Sequence, residues 1–333
     1  MPTKVVDIIT QLSHHLSNFE EEFATSYISK NTLSLLLSDY GFETTNLQQE
    51  QNLLLVILDE LKTVSLALQK NKIPFVIIKF SELPKLVSDI DILVHNTPDV
   101  FHILDKLGYS LEDDAEPHRS TYVKSINGTR VSLDLHHHLS WRRVHYLDSK
   151  SIIDQSQLKS IDDILIPFPS IPHDFLITAA HCIFKHNGIS LFDILHILSL
   201  KESNPPELNN LSAMYAVAEE YQWKQELDYF LHFISSIESD LRTSFDSESS
   251  IFKDLPHHFS LLTVIQIRLS KLLRSLTHKS YTPTLIQTYA YSLDIFQFLV
   301  EQKLGISLTH FFRLLSRIKK MVASVNSIFS TPK

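Results

Sequence analysis

Glycine is scarce in this chain, with five in 333 residues. A phosphate cradle of the Gly-rich loop kind needs several glycines in a short window, and no window here holds them, which excludes those nucleotide-binding modes. Cysteine is scarcer still. Cys182 is the single one, so an intrachain disulfide framework is excluded and a reducing compartment fits. Its setting, Ala180-His181-Cys182-Ile183-Phe184, is an apolar helical run, which marks it as a buried structural thiol rather than a nucleophile. Long uncharged runs are lacking too. Leu53-Leu54-Leu55-Val56-Ile57-Leu58 stops at Asp59 and Glu60, far short of a membrane span. Met1 to Asp7 lack the charged-then-apolar layout of a signal peptide, and a cytoplasmic protein is expected. Nor is there an excess of positive charge. The net charge is −8, so the surface as a whole is no nucleic-acid footprint.

What is present is an ordinary apolar share of 44% with 20% charged residues, enough for a packed core and a substantial helical addition. Apolar residues recur at three- and four-residue intervals over Val5–Phe23, Leu33–Leu37 and Leu47–Gln69, which predicts helices there. Pro74 ends the third. Phe75-Val76-Ile77-Ile78 reads as a buried strand, and Pro98 opens a helix through Leu107 that Gly108 closes. Asn127-Gly128 predicts a two-residue hairpin turn between strands over His118–Ile126 and Thr129–Leu139. Beyond the prolines at 167–172 the pattern is helical: 173–187, 190–201, 207–221, 223–240, 257–277, 283–304 and 308–328. No internal repeat of solenoid period is evident.

The chemistry concentrates in Ser88-Asp89-Ile90-Asp91-Ile92-Leu93-Val94. Residues i and i+2 of a strand share a face, so Ile90, Ile92 and Val94 can anchor a core while Asp89 and Asp91 project together into solvent. Two like charges that close cost stability unless a cation lies between them, which suits a hard divalent ion shared with a substrate phosphate. Downstream, Val131, Leu133 and Leu135 point one way, with Ser132, Asp134 and His136 the other. Asp134 is thus expected to be a third exposed carboxylate on a strand. On spacing alone Asp-x-Asp is weak, since the same pattern is common in solvated turns.

The order strand, turn, Asp-x-Asp strand, helix, hairpin bearing a third Asp resembles the polymerase-β-like nucleotidyltransferase superfamily. It is most similar there to an uncharacterised bacterial and archaeal family. The matching pieces are Val76-Ile77-Ile78-Lys79, the Asp89–Val94 strand and Leu133-Asp134-Leu135-His136. Asp174–His181 and Leu191-Phe192-Asp193-Ile194 look like its downstream helices, so the likeness spans about residues 50–235.

The resemblance implies an α+β fold, with a small mixed sheet flanked by helices and a large all-α C-terminal region. The divisions expected are 1–70 as helical lead-in, 71–145 as α/β core and 146–333 as all-α. It implies Mg²⁺-dependent transfer of a nucleoside monophosphate from a nucleoside triphosphate such as ATP to an acceptor hydroxyl. Asp89, Asp91 and Asp134 would hold two metals, and Asp134 would orient or deprotonate the acceptor. Lys79, Ser81 and Ser88 would contact the triphosphate. The acceptor is a small molecule, a protein or an RNA end, and the helical region offers a surface for a protein partner.

Phe80 stands where the family carries glycine, so a side chain is expected to narrow the triphosphate approach. The alternative is therefore a nucleotidyltransferase-fold binding or regulatory protein without turnover.

Other patterns carry less. His136 and His138 share a strand face and with His118 or His145 suggest zinc, but 18 scattered histidines dilute any such set. His181 is expected to be partly buried between helices. Arg274 and His278 stand too close for the Arg/His spacing of small ribonuclease modules, and the basic amphipathic run His310–Phe329 reads as a packed terminal helix.

Overall fold

A computed structural model describes residues 3–16, 33–38, 47–81, 83, 89–95, 98–116, 118–141, 144–186, 188–203, 211–244 and 257–258. All lie in the first of the chain's two units, Met1–Phe259. The helices expected over 283–304 and 308–328, with Arg274, His278 and the basic run from His310, lie outside the described residues. Ser88 does too.

Helix α1 (Thr3–Leu16) buries Val5, Ile9 and Leu12, one face at helical spacing, and α2 (Ser34–Ser38) is buried almost throughout. Helix α3 (Leu47–Lys70) buries Ile57, Leu61, Val64 and Leu68. It ends with Lys72 left-handed (φ 56°) and the Ile73 amide donating back to the Leu68 carbonyl, ahead of Pro74.

Strands β1 (Phe75–Ile78) and β2 (Asp89–Val94) follow, then helix α4 (Pro98–Lys106), β3 (Ser110–Glu116), β4 (Arg119–Ile126) and β5 (Thr129–His136). Together the strands make one sheet in the order β1-β2-β5-β4-β3. β2 and β5 run parallel and every other neighbouring pair antiparallel, so the sheet is mixed. The β4–β5 turn has both Asn127 (φ 51°) and Gly128 (φ 82°) left-handed, the type I′ geometry that the Asn-Gly pair predicts. Strand β3 was not read from the sequence: Ser110-Leu111-Glu112-Asp113-Asp114 shows little alternation, and two irregularities break its register with β4.

One sheet face packs on α3 and α4. Phe75, Ile77, Ile90, Ile92, Val94, Val131, Leu133 and Leu135 meet Ile57, Leu61, Val64, Leu68, Val100 and Leu104 there. The alternation expected for β2 and β5 is therefore observed, and it sends Asp91, Asp134 and His136 to the other face.

Glu60 is the charged residue that α3 buries, and Tyr109 Oη and Lys124 Nζ each donate to its carboxylate at 3.0 Å. Burial, then the Glu60 charge, push the Tyr109 hydroxyl's pKa far up. Glu60→Ala strands Lys124 and the Tyr109 hydroxyl, and is expected to cost about 3 kcal/mol in urea unfolding. A loss of no more than a few tenths would show that water replaces the carboxylate.

Past the sheet come two small hairpins, β6 (Leu139–Trp141) with β7 (Val144–Leu147), and β8 (Gln157–Ile161) with β9 (Ile164–Phe168). Helix α5 (Ser149–Asp154) lies between them, capped by the Asp148 side chain. Ile166 and Phe168 of β9 join the sheet's core, so β-structure continues beyond residue 145.

Helix α6 (Ile171–Ala180) runs into a π-helical turn at His181–His186, where Cys182 is fully buried as expected and His181 is half-buried. A two-residue strand β10 (Gly188–Ile189) pairs with β11 (His257–His258), so the helix expected from 257 does not begin there. Helix α7 (Leu191–Ser203) starts in a reciprocal cap: Ser190 and Asp193 each accept from the other's amide. Helices α8 (Leu211–Glu220) and α9 (Lys224–Ser244) complete the described part. Trp223, fully buried between them, donates from Nε1 to the Tyr146 carbonyl of β7 at 3.0 Å. No helix among the described residues is long and apolar enough to cross a membrane.

Candidate active site

The parallel pairing of β2 with β5 sets Asp91 directly opposite Asp134, and β4 brings Thr121 opposite Asp134 and Arg119 opposite His136. Residues opposed in a ladder share a face, so five polar side chains converge where a core-facing row would be apolar. The expectation that the carboxylates project into solvent is corrected here: Asp91 is 7% exposed and Asp134 2%.

Burial of two carboxylates is sustained by cations. Lys79 Nζ donates to Asp91 Oδ1 at 2.6 Å, and His136 Nε2 lies 2.6 Å from the same oxygen. The Arg119 guanidinium pairs with Asp134 Oδ2, while Thr121 Oγ1 donates to Asp134 Oδ1 at 2.7 Å. Burial opposes ionisation of Asp91, but Lys79 and His136 outweigh it and hold the carboxyl well below the usual carboxylate range. Burial and then Lys79 lower the His136 pKa against the pull of Asp91 and Asp134. His118, its ring centroid 6.5 Å from that of His136, is pushed down to about 3 by burial first and then by neighbouring positive charge.

Ligand atoms of Asp91, Asp134 and His136 all lie within 4.8 Å of one another. Ligands about 2.1 Å from one ion stand up to about 4.2 Å apart, so a small closure fits this donor set to a divalent cation. Asp89 is half-buried two residues back on β2, opposite Ser132, and is outside that group of three.

Lys79 is thus drawn to a carboxylate rather than held out for a phosphate. It is also the residue with left-handed backbone after β1 (φ 60°), a conformation that costs a side-chain-bearing residue about 1–2 kcal/mol. The residue after β1 with glycine-like backbone is thus Lys79. The Phe80 ring packs on Phe168 at 5.5 Å between centroids, against the core behind the sheet. The side chain expected to narrow the triphosphate approach thus packs against the core.

Ser81 Oγ is 3.0 Å from His196 Nδ1 on α7 and accepts from the Leu83 amide. His196 Nε2 is in turn 3.4 Å from Asp174 Oδ2 on α6, which ties the turn after β1 to the helices.

Arg119, Thr121, His196 and Asp174 were not singled out from sequence. The first two had a signal: they stand at alternate positions of β4, and the Asn127-Gly128 turn fixes their register against His136 and Asp134.

A mixed sheet that sets paired carboxylates on adjacent parallel strands, with a helix-backed opposite face, is a nucleotidyltransferase-type core. The family model described as "Uncharacterised nucleotidyltransferase" matches residues 42–237, more than half of the chain. The protein belongs to that family. Among solved structures, the chain is similar to an antigenic nucleotidyltransferase-like protein from Paracoccidioides brasiliensis. Sequence identity is 18% and the TM-score 0.36, over 56% of this chain and 93% of that one. No curated protein matches at comparable significance.

Proposed function

We propose that the protein transfers a nucleoside monophosphate from a nucleoside triphosphate to an acceptor hydroxyl, with a divalent metal, in the first instance Mg²⁺. The observation that supports this best is the pairing of Lys79 and Arg119 with Asp91 and Asp134. The four charges balance. With the two carboxylates turned to a divalent ion, the Lys79 ammonium and the Arg119 guanidinium would be available to pair with the oxygens of a triphosphate.

In this reading Asp91 and Asp134 would hold metal, with Asp89, half-buried two residues back on the same face of β2, beside them. When bound, the metal supplies neutralisation of charge at the entering and leaving oxygens. Asp134, steadied by Thr121, orients the acceptor hydroxyl and takes its proton. Lys79 and Arg119 turn to the phosphate oxygens. Ser81, whose hydroxyl is engaged by His196, holds the turn after β1 in place rather than gripping phosphate itself. Ser88 completes the triphosphate contacts.

Incubation with α-³²P-labelled nucleotides, Mg²⁺ and candidate acceptors (small molecules, proteins, RNA) is expected to yield labelled product. Asp89→Ala and Asp134→Ala are expected to abolish it. Nucleotide binding by calorimetry with no label transfer to any acceptor would identify the binding-protein alternative. Neither binding nor transfer would remove both.

A further inference from the structure

The donors assembled on the sheet are not three carboxylates. Asp91 and Asp134 contribute oxygens, and the third ligand atom within 4.8 Å is an imidazole nitrogen. His136 is two residues past Asp134 on the same face of β5, opposite Leu93, and its ring reaches across to Asp91. Its position is built rather than incidental. His136 is 6% exposed, its strand is paired on both sides, and the Asp134 it accompanies is oriented by Thr121 Oγ1. Partners of this kind behind a metal ligand fix its orientation.

Ligand type then discriminates between ions. Mg²⁺ takes oxygen donors and keeps its waters, whereas imidazole favours first-row transition ions, of which Mn²⁺ also accepts carboxylate readily. We propose that Asp91, Asp134 and His136 form a mixed carboxylate–imidazole site, with His136 Nε2 as a direct ligand, selective for a first-row transition ion such as Mn²⁺ over Mg²⁺. Ligation by the Nε2 lone pair requires the proton that Nε2 shares with Asp91 Oδ1 to be given up and the ring proton to sit on Nδ1, which keeps the imidazole neutral. The inference rests on the metal-dependent reading above and narrows its ion. It also separates Asp89 from this first ion and leaves it to the substrate side.

The test uses the full chain without an affinity tag and Mn²⁺ alone. Loss of the free Mn²⁺ resonance in electron paramagnetic resonance counts the bound ion, and electron spin-echo modulation reports a ligating nitrogen. One Mn²⁺ per chain is expected to show ¹⁴N coupling, replaced by ¹⁵N coupling when the histidines are ¹⁵N-labelled. An equal concentration of Mg²⁺ is expected to leave most of the Mn²⁺ bound. His136→Gln is expected to lose the nitrogen coupling, and Thr121→Val to keep it while weakening Mn²⁺ binding about 10–100-fold.

Bound Mn²⁺ without nitrogen coupling, coupling that persists in His136→Gln, displacement by equal Mg²⁺, or no Mn²⁺ binding each overturns the proposal. The wild-type measurements decide it even if His136→Gln does not fold. Label transfer with Mg²⁺ but no nitrogen coupling overturns this inference and leaves the transferase reading standing. Nitrogen-ligated Mn²⁺ without label transfer does the reverse.

Discussion

Asp91→Asn is expected to lose both transfer activity and stability, by separable routes. In the proposed reading the carboxylate is a metal ligand, and its loss is expected to lower label transfer by at least about 10²–10³-fold, as removal of a charge-stabilising group does. Stability falls for another reason. Asp91 is buried and paired with Lys79, whose own side chain is 19% exposed. An asparagine there leaves the ammonium without its counter-charge, which costs about 3–5 kcal/mol for a buried pair. Adding Lys79→Met removes the stranded charge, so the double variant is expected to regain most of the lost stability in urea unfolding and none of the activity. Full label transfer by Asp91→Asn would remove Asp91 from the chemistry. A double variant no more stable than the single one would show that the pair carries little energy.

Stability is expected to fall steeply on acidification from pH 6.5 to 5. His118 is held near 3 in the folded protein against about 6.5 in the unfolded chain. Between those values the unfolded chain binds a proton that the folded one excludes, so stability rises with pH and is lost as pH drops. At pH 5 this single group costs about 2 kcal/mol. Burial lowers His136 and His173 in the same direction, so their contributions add. Asp91 works at lower pH: its folded pKa is depressed, so its contribution is present above about 4 and is lost below. Urea midpoints measured from pH 7 to 4 check this. His118→Asn is expected to flatten the upper part of the profile, and a flat wild-type profile between 7 and 5 would refute the assignment.

The acid sensitivity and the paired carboxylates share an origin that single strands do not disclose. Alternation in Val131 to His136 shows which residues leave the core, but not whether the face they enter is wet. Asp91 and Asp134 were expected in solvent, and they are buried because cations arrive from elsewhere in the chain. Arg119 comes from the hairpin partner strand, and Lys79 from the turn that follows β1, which starts beside Asp91 because Ile78 pairs with it. Phe80 went the same way. From sequence it stands in a phosphate loop, yet a left-handed Lys79 and the presence of Phe168 turn it to the core.

Local sequence carries the helix expected over Leu47–Gln69, the Asn127-Gly128 turn, the buried Cys182, and the side of β2 and β5 on which Asp91, Asp134 and His136 emerge. Those features follow from period, turn chemistry and burial, each written within a few residues. Which groups meet is settled by the assembled sheet and its helices: Lys79 with Asp91, Arg119 with Asp134, His136 near both carboxylates, and Ser81 with His196 some 115 positions on. Periodicity specifies a face, and a face has no partner until strand register and chain crossing supply one.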